Sequence, residues 1–172
     1  MSLRIGILSF AHMHAASYAH EIKAHPDAIL AGIADDDAER GKRMAAEFGV
    51  PYFQSYADLL RTELDGVVVA SENARHRGLV EAAADAGVKA ILCEKPLATT
   101  VEDAVAMVEH CAARKVRLAT AFPCRYSPAF LSLRSQVQAG VIGKIVAIRG
   151  TNHGSPPGGW FVSNSIVNVS TI

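Results

Sequence analysis

Apolar positions fall in short runs that alternate with segments of helical spacing along most of the chain. "RIGILSF" predicts a first strand, and "MHAASYAHEIKAH" predicts a helix closed by Pro26. "AILAGIAD", residues 28–35, predicts a second strand. "DAERGKRMAAEFG" predicts a helix that stops at Gly49, the residue type that most easily takes the left-handed cap conformation. "PYFQSYADLLRTEL" holds a short strand and a short helix. "DGVVVAS", residues 65–71, is β-branched without alternation, as a strand buried on both faces should be. Two more helix–strand alternations follow. "ARHRGLVEAAADAG" predicts a helix ended by Gly87, "VKAILCE" a strand, "TVEDAVAMVEHCAARK" a helix and "VRLATAF" a strand. Thr100 is the expected N-cap of the last helix, with Asp103 in the capping-box position.

Strict strand–helix alternation predicts an α/β fold, a doubly wound parallel (Rossmann) sheet covered on both faces. Ligands of such sheets bind at the carboxyl ends of the strands. Those ends are Ser9–Ala11, Asp35, Ser71–Asn73, Glu94–Pro96 and Phe122–Arg125, and most chemically loaded residues of the chain lie on them. After residue 125 the pattern changes. "SPAFLSLRSQVQAG" predicts a helix and "GKIVAIRGTNH" a long strand of a different kind. "GSPPGGW" predicts a loop, and "FVSNSIVNVSTI" lacks helical period. Residues 1–122 are therefore expected to form the Rossmann domain, and residues 123–172 the incomplete start of a second α+β domain.

Composition narrows the partners. Half of the 172 residues are hydrophobic and the formal net charge is zero, which gives no support to nucleic acid or an anionic membrane. No apolar run is long enough to span a bilayer, and the start of the chain lacks the pattern of a signal peptide. Cys93, Cys111 and Cys124 show no CxxC spacing and suit free thiols in a reducing cytoplasm.

The first strand end poses a question. A dinucleotide turn is Gly-x-Gly-x-x-Gly, and its three glycine slots here are Ser9, Ala11 and His14. Ala11 obstructs a pyrophosphate least, Ser9 offers a hydroxyl, and His14 puts a ring where a packing glycine is usual. The following helix start still presents free N–H groups and the positive end of its dipole. Asp35 ends the second strand, where a carboxylate accepts the adenosine ribose hydroxyls and repels a 2′-phosphate, favouring NAD over NADP. One of Asp36 and Asp37 should cap the next helix. His12 and His14 have a metal-like spacing, but no carboxylate or thiol nearby completes a site, and on a helix start they point to different faces, so no metal is expected. Glu94-Lys95-Pro96 holds a lysine at the carboxyl edge of the sheet, either as half of a surface ion pair or placed to orient a substrate hydroxyl or pass a proton.

"CEKPLATTVEDA", "VVVASENARHRGLVEAAADAG", "ADDDAER" and "RYSPAFLSLRSQVQAGVIGKIVAIRGT" together resemble the Gfo/Idh/MocA oxidoreductases over residues 3–162. The resemblance implies a Rossmann domain followed by an α/β domain, and NAD(P)-dependent oxidation or reduction of sugars, polyols and related alcohols. It implies that Lys95 is the active-site lysine with Glu94 and Pro96 as its neighbours. Asn73 and His76 match the segment lining the nicotinamide, with Ser71 at its start and Glu72 where proline is usual. Arg125 matches an arginine at the cofactor cleft. Ser9, Phe10, Ala11, His12 and Met13 match the pyrophosphate turn. The family's second domain supplies an Asp-x-x-x-His pair that "VSNSIVNVSTI" does not contain.

The expectation is an NAD-dependent oxidoreductase, or its N-terminal part, acting by hydride transfer on a sugar-like alcohol. The chain alone is expected to turn over little substrate and to self-associate through residues after about 140. The alternative is a non-catalytic nucleotide-binding module, or truncated remnant, that survives by self-association.

Overall fold

A computed structural model describes residues 2–151. They fall into two compact units, one ending at Ala121 and one beginning at Phe122. The first unit carries six strands: β1 (Leu3–Leu8), β2 (Ala28–Ala34), β3 (Tyr52–Phe53), β4 (Gly66–Val69), β5 (Ala90–Cys93) and β6 (Arg117–Thr120). All pair in parallel, in the order β3-β2-β1-β4-β5-β6. The helices between them are α1 (Ala15–Ala24), α2 (Ala38–Phe48), α3 (Tyr56–Leu60), α4 (His76–Asp85) and α5 (Val101–Ala113). This is the doubly wound α/β sheet expected from the alternation, and its reversal point lies between β1 and β4.

Successive strand residues face opposite sides, so one strand feeds two cores. Val67 and Val69 pack with Leu79, Val80, Met107 and Cys111 beneath α4 and α5. Val68 and Ala70 pack with Ile7, Ile33, Ala15, Ala19 and Phe48 beneath α1 and α2. Every residue of β4 is buried, which is why its sequence shows no alternation.

The helix ends follow the local chemistry. Asp37 caps α2 by accepting from Arg40 N at 2.9 Å, and Gly49 ends that helix at φ 64°. Thr100 caps α5 through Asp103 N at 3.1 Å. The Asp103 carboxylate turns away to Arg77 at 2.7 Å, leaving the capping box one-sided. Gly41 marks a close approach: a Cβ there would lie 2.3 Å from Tyr52 Cε2 and 2.9 Å from Asp35 Cβ. Alanine in a helix normally gains up to about 1 kcal/mol over glycine. Here Gly41→Ala is expected to lose about 1–3 kcal/mol instead, because overpacking outweighs propensity. Urea unfolding checks the sign.

The second unit holds a short 3-10 turn, Pro123–Tyr126, and α6 (Pro128–Gln138), capped by Ser127. The long strand expected from residue 143 onward is not formed among the described residues, and Val146 and Ile148 are 94% and 85% exposed. A strand needs a hydrogen-bonded neighbour, and no described segment pairs with this one. "SIVNVSTI" lies outside the described residues. Among the described residues no helix is long and apolar enough to cross a membrane.

Candidate functional site

The carboxyl ends of β1, β2, β4 and β5 bring the expected residues to one edge of the first unit. At the end of β1 the chain turns sharply: Ser9 N donates to Ala34 O at 2.7 Å and His12 N to Ala70 O at 3.0 Å. The missing glycine is visible in the backbone, because Ser9 takes φ 72°, a left-handed conformation that favours glycine. Its hydroxyl is buried and accepts from Ala11 N at 3.1 Å, so it steadies the turn rather than reaching outward to a phosphate. The Phe10 ring faces inward and packs at 6.0 Å from Phe48, leaving only its backbone at the site. Met13 is exposed. α1 begins at Ala15 with no side-chain cap on its first N–H groups, an arrangement suited to an anion.

Asp35 is fully buried at the end of β2. Its Oδ2 accepts from Phe10 N and Arg40 Nε, both at 2.8 Å. Its Oδ1 accepts from Arg40 Nη2 at 2.7 Å and Asp37 N at 3.0 Å. A carboxylate offers about four acceptor positions, and all are filled. A ribose accepted by Asp35 would have to displace Arg40 from it. Asp36 pairs with Arg75 and accepts from Tyr56 OH at 3.0 Å. Burial alone would raise the Asp36 carboxyl, but these hydrogen bonds hold it below the usual range.

After β4, Ser71 and His76 are fully buried and Asn73 nearly so. The His76 ring spans two backbone carbonyls, Pro96 O at 2.9 Å and Ser71 O at 3.2 Å, and ties the β4 loop to the β5 loop. Asn73 Oδ1 is buried without a hydrogen-bond partner among the described residues. An unpaired buried acceptor costs about 1–3 kcal/mol, which a donor on a bound molecule would recover.

Glu94 is the hub of the edge. It is fully buried, and its Oε1 accepts from Tyr18 OH and from His14 Nδ1 at 2.8 Å, with His12 Nδ1 at 3.6 Å. Oε2 accepts from Lys95 N at 2.9 Å. Burial pushes this carboxyl up, yet the hydrogen bonds from Tyr18, His14 and Lys95 N leave it below the usual range. Burial drives His12 down to about 4, against the opposing pull of Glu94, so the ring is neutral near pH 7. Tyr18 is raised by burial and by its bond to Glu94. Lys95 is half-buried, precedes a cis bond to Pro96, and makes no hydrogen bond or ion pair through its Nζ among the described residues. Arg125 lies on the exposed turn of the second unit.

Two sequence expectations change. Residues 12–14 form a turn before the helix, so the His12 and His14 rings do not diverge; their centroids are 4.6 Å apart. The carboxylate that local spacing failed to provide comes from Glu94, 80 residues later. Sequence reading also missed Arg40 and Tyr18. Tyr18 had a signal, since it lies four residues from His14 on one helix face.

The profile of an oxidoreductase family with an NAD-binding Rossmann fold, Gfo/Idh/MocA, matches residues 3–122. Inositol 2-dehydrogenase 1 of Saccharopolyspora erythraea is 34% identical over 152 residues, covering 86% of this chain and 45% of that protein. D-xylose 1-dehydrogenase (NADP(+)) 2 of Haloferax volcanii is 32% identical, with 85% and 45% covered. A probable dehydrogenase of Thermotoga maritima has a crystal structure similar to this one, with TM-score 0.76 and 32% identity over 83% of this chain and 42% of that one. The WlbA dehydrogenase of Bordetella pertussis, solved in complex with NADH and UDP-GlcNAcA, has TM-score 0.78 and 26% identity over 83% and 44%. The chain thus spans less than half the length of these relatives.

Proposed function

Because the chain belongs to the Gfo/Idh/MocA oxidoreductase family, we propose that it binds NAD(H) along this edge and serves hydride transfer to or from a sugar or polyol. The observation that carries the reading is the convergence of an uncapped α1 N-terminus, the Asp35–Asp37 acidic edge, the orphaned Asn73 Oδ1 and Lys95 on neighbouring strand ends. The pyrophosphate would lie on the turn Ser9–Met13, the ribose of the adenosine at Asp35, and the nicotinamide toward Asn73, His76 and Lys95. The nicotinamide accepts or gives the hydride when bound. Lys95 orients the alcohol oxygen and handles its proton, while Glu94 fixes the backbone at Lys95. Similarity to inositol dehydrogenases and to an NADH-bound sugar-nucleotide dehydrogenase supports that substrate class.

NAD is favoured over NADP on charge. Among the described residues, Asp35, Asp36, Asp37 and Glu72 pair with only Arg40 and Arg75 at this edge, an excess of negative charge that opposes a 2′-phosphate. Exposed apolar residues of the second unit, Phe130, Leu133, Val146 and Ile148, support self-association. Thermal unfolding tests the cofactor reading. A ligand at about 100 times its Kd stabilises by about 2.7 kcal/mol. NADH should raise the unfolding midpoint by several degrees, and NADPH at equal concentration by less. A larger rise with NADPH would contradict the assignment of NAD.

A further inference from the structure

We propose that His12, His14 and Glu94 form a binding site for a divalent transition-metal cation of the zinc class, with one coordination position left open. The three residues offer ligand atoms that all lie within 4.8 Å of one another. A tetrahedral zinc ion with bonds of about 2.0–2.2 Å holds its ligand atoms about 3.3 Å apart. The observed separations straddle that value: His14 Nδ1 is 2.8 Å and His12 Nδ1 3.6 Å from Glu94 Oε1. The His14 Nδ1–Glu94 contact must open and the His12 Nδ1–Glu94 contact close by roughly a few tenths of an ångström each to seat the ion, with both rings turned toward it.

The surroundings fit a metal site as well as the ligands do. The His12 and Glu94 side chains are fully buried and form a fixed wall. The His14 side chain is 39% exposed and supplies both the adjustable ligand and the entry path. On coordination its Nδ1 exchanges a hydrogen bond to Glu94 for the metal, the ring proton moving to Nε2. His12 Nδ1 gives up a long hydrogen bond from His14 N, 3.2 Å in length. An outer shell is already in place, because Tyr18 OH donates to Oε1 and Lys95 N to Oε2. Two imidazoles and one carboxylate suit zinc, cobalt or iron(II) better than magnesium or calcium.

Three protein ligands leave the fourth position to water or to an oxygen donor, the pattern of zinc sites that act on substrates. That the donor is a substrate hydroxyl beside Lys95 rests on the dehydrogenase reading. Binding of the ion itself needs no dinucleotide.

The test titrates the chelator-stripped 172-residue chain with Zn2+ by calorimetry and with Co2+ by visible absorption. One equivalent should bind, and Co2+ should give the intense absorption of a tetrahedral site. His14→Ala and His12→Ala should each weaken binding at least about 100-fold and erase the absorption, and Tyr18→Phe should weaken it about 10-fold. His20→Ala, on a ring that packs against Phe48 instead, should change nothing. His14 is partly exposed, so His14→Ala keeps a folded protein for comparison, as circular dichroism will show. Absence of binding by the unsubstituted chain, or unchanged affinity and absorption in folded His14→Ala, would overturn the site.

Discussion

Asp35→Ala is expected to lower the unfolding free energy by about 3 kcal/mol, the lower end of the range for breaking a buried ion pair. The same substitution is expected to move cofactor preference from NADH toward NADPH by about tenfold or more, equivalent to about 1.4 kcal/mol. Both effects follow from one geometry. Asp35 satisfies Phe10 N, Asp37 N and two nitrogens of Arg40, so its loss strands all of them. The Arg40 side chain is 23% exposed and can turn to water, which keeps the cost from the upper end. Once released, Arg40 stands at the ribose edge as a cation for a 2′-phosphate. Asp35→Asn keeps an acceptor and should cost less. Urea unfolding and paired titrations with NADH and NADPH check the two parts. An unchanged NADH-to-NADPH ratio in Asp35→Ala would show that the ribose does not lie at this carboxylate.

Glu94→Gln in metal-free buffer should cost about 2–4 kcal/mol, since hydrogen bonds to a charged group contribute about 1.5–3 kcal/mol and an amide cannot replace them all. Three donors converge on the carboxylate: Tyr18 OH, the His14 ring and Lys95 N. An amide has one oxygen and an NH2 that itself donates. One of its ends must therefore face donors with a donor. The turn after β1 and the loop after β5 should loosen together, seen as faster amide exchange at Lys95 and His14. A stability within about 0.5 kcal/mol of the unsubstituted chain, the range of an ordinary surface change, would mean that Glu94 is not the hub of this edge.

The sheet, its order of helices and the gathering of the candidate residues at its carboxyl edge were legible because they rest on local signals. Gly49 and Thr100 announce helix ends through backbone rules that need no tertiary context. β4 shows its double burial in an unbroken β-branched run. The metal-like cluster was not legible, because His14 and Glu94 are 80 residues apart and meet only when β1 and β5 flank β4. Spacing also misplaced the start of α1, which made the two histidines look divergent. The turn without glycines is the sharpest case. Sequence shows that Ser9 occupies a glycine slot, and only the backbone shows that it adopts the left-handed conformation, with its buried hydroxyl accepting from Ala11 N. Arg40 follows the same rule: its position five residues after Asp35 suggests nothing until the first turn of α2 folds it back. The strand expected near residue 144 failed for the converse reason, since β-prone composition without a hydrogen-bonded neighbour does not make a strand.

Backbone amide NMR of the chain titrated with NADH tests the central claim, a dinucleotide laid across these strand ends. The account predicts saturable shifts at Phe10, Ala11 and Met13, at Asp36 and Asp37, at Asn73, and at Lys95, with little change at Leu3, Asp65 and Lys89 at the opposite edge of the sheet. Absence of any saturable shift from the folded chain, or shifts confined to that opposite edge, would contradict it.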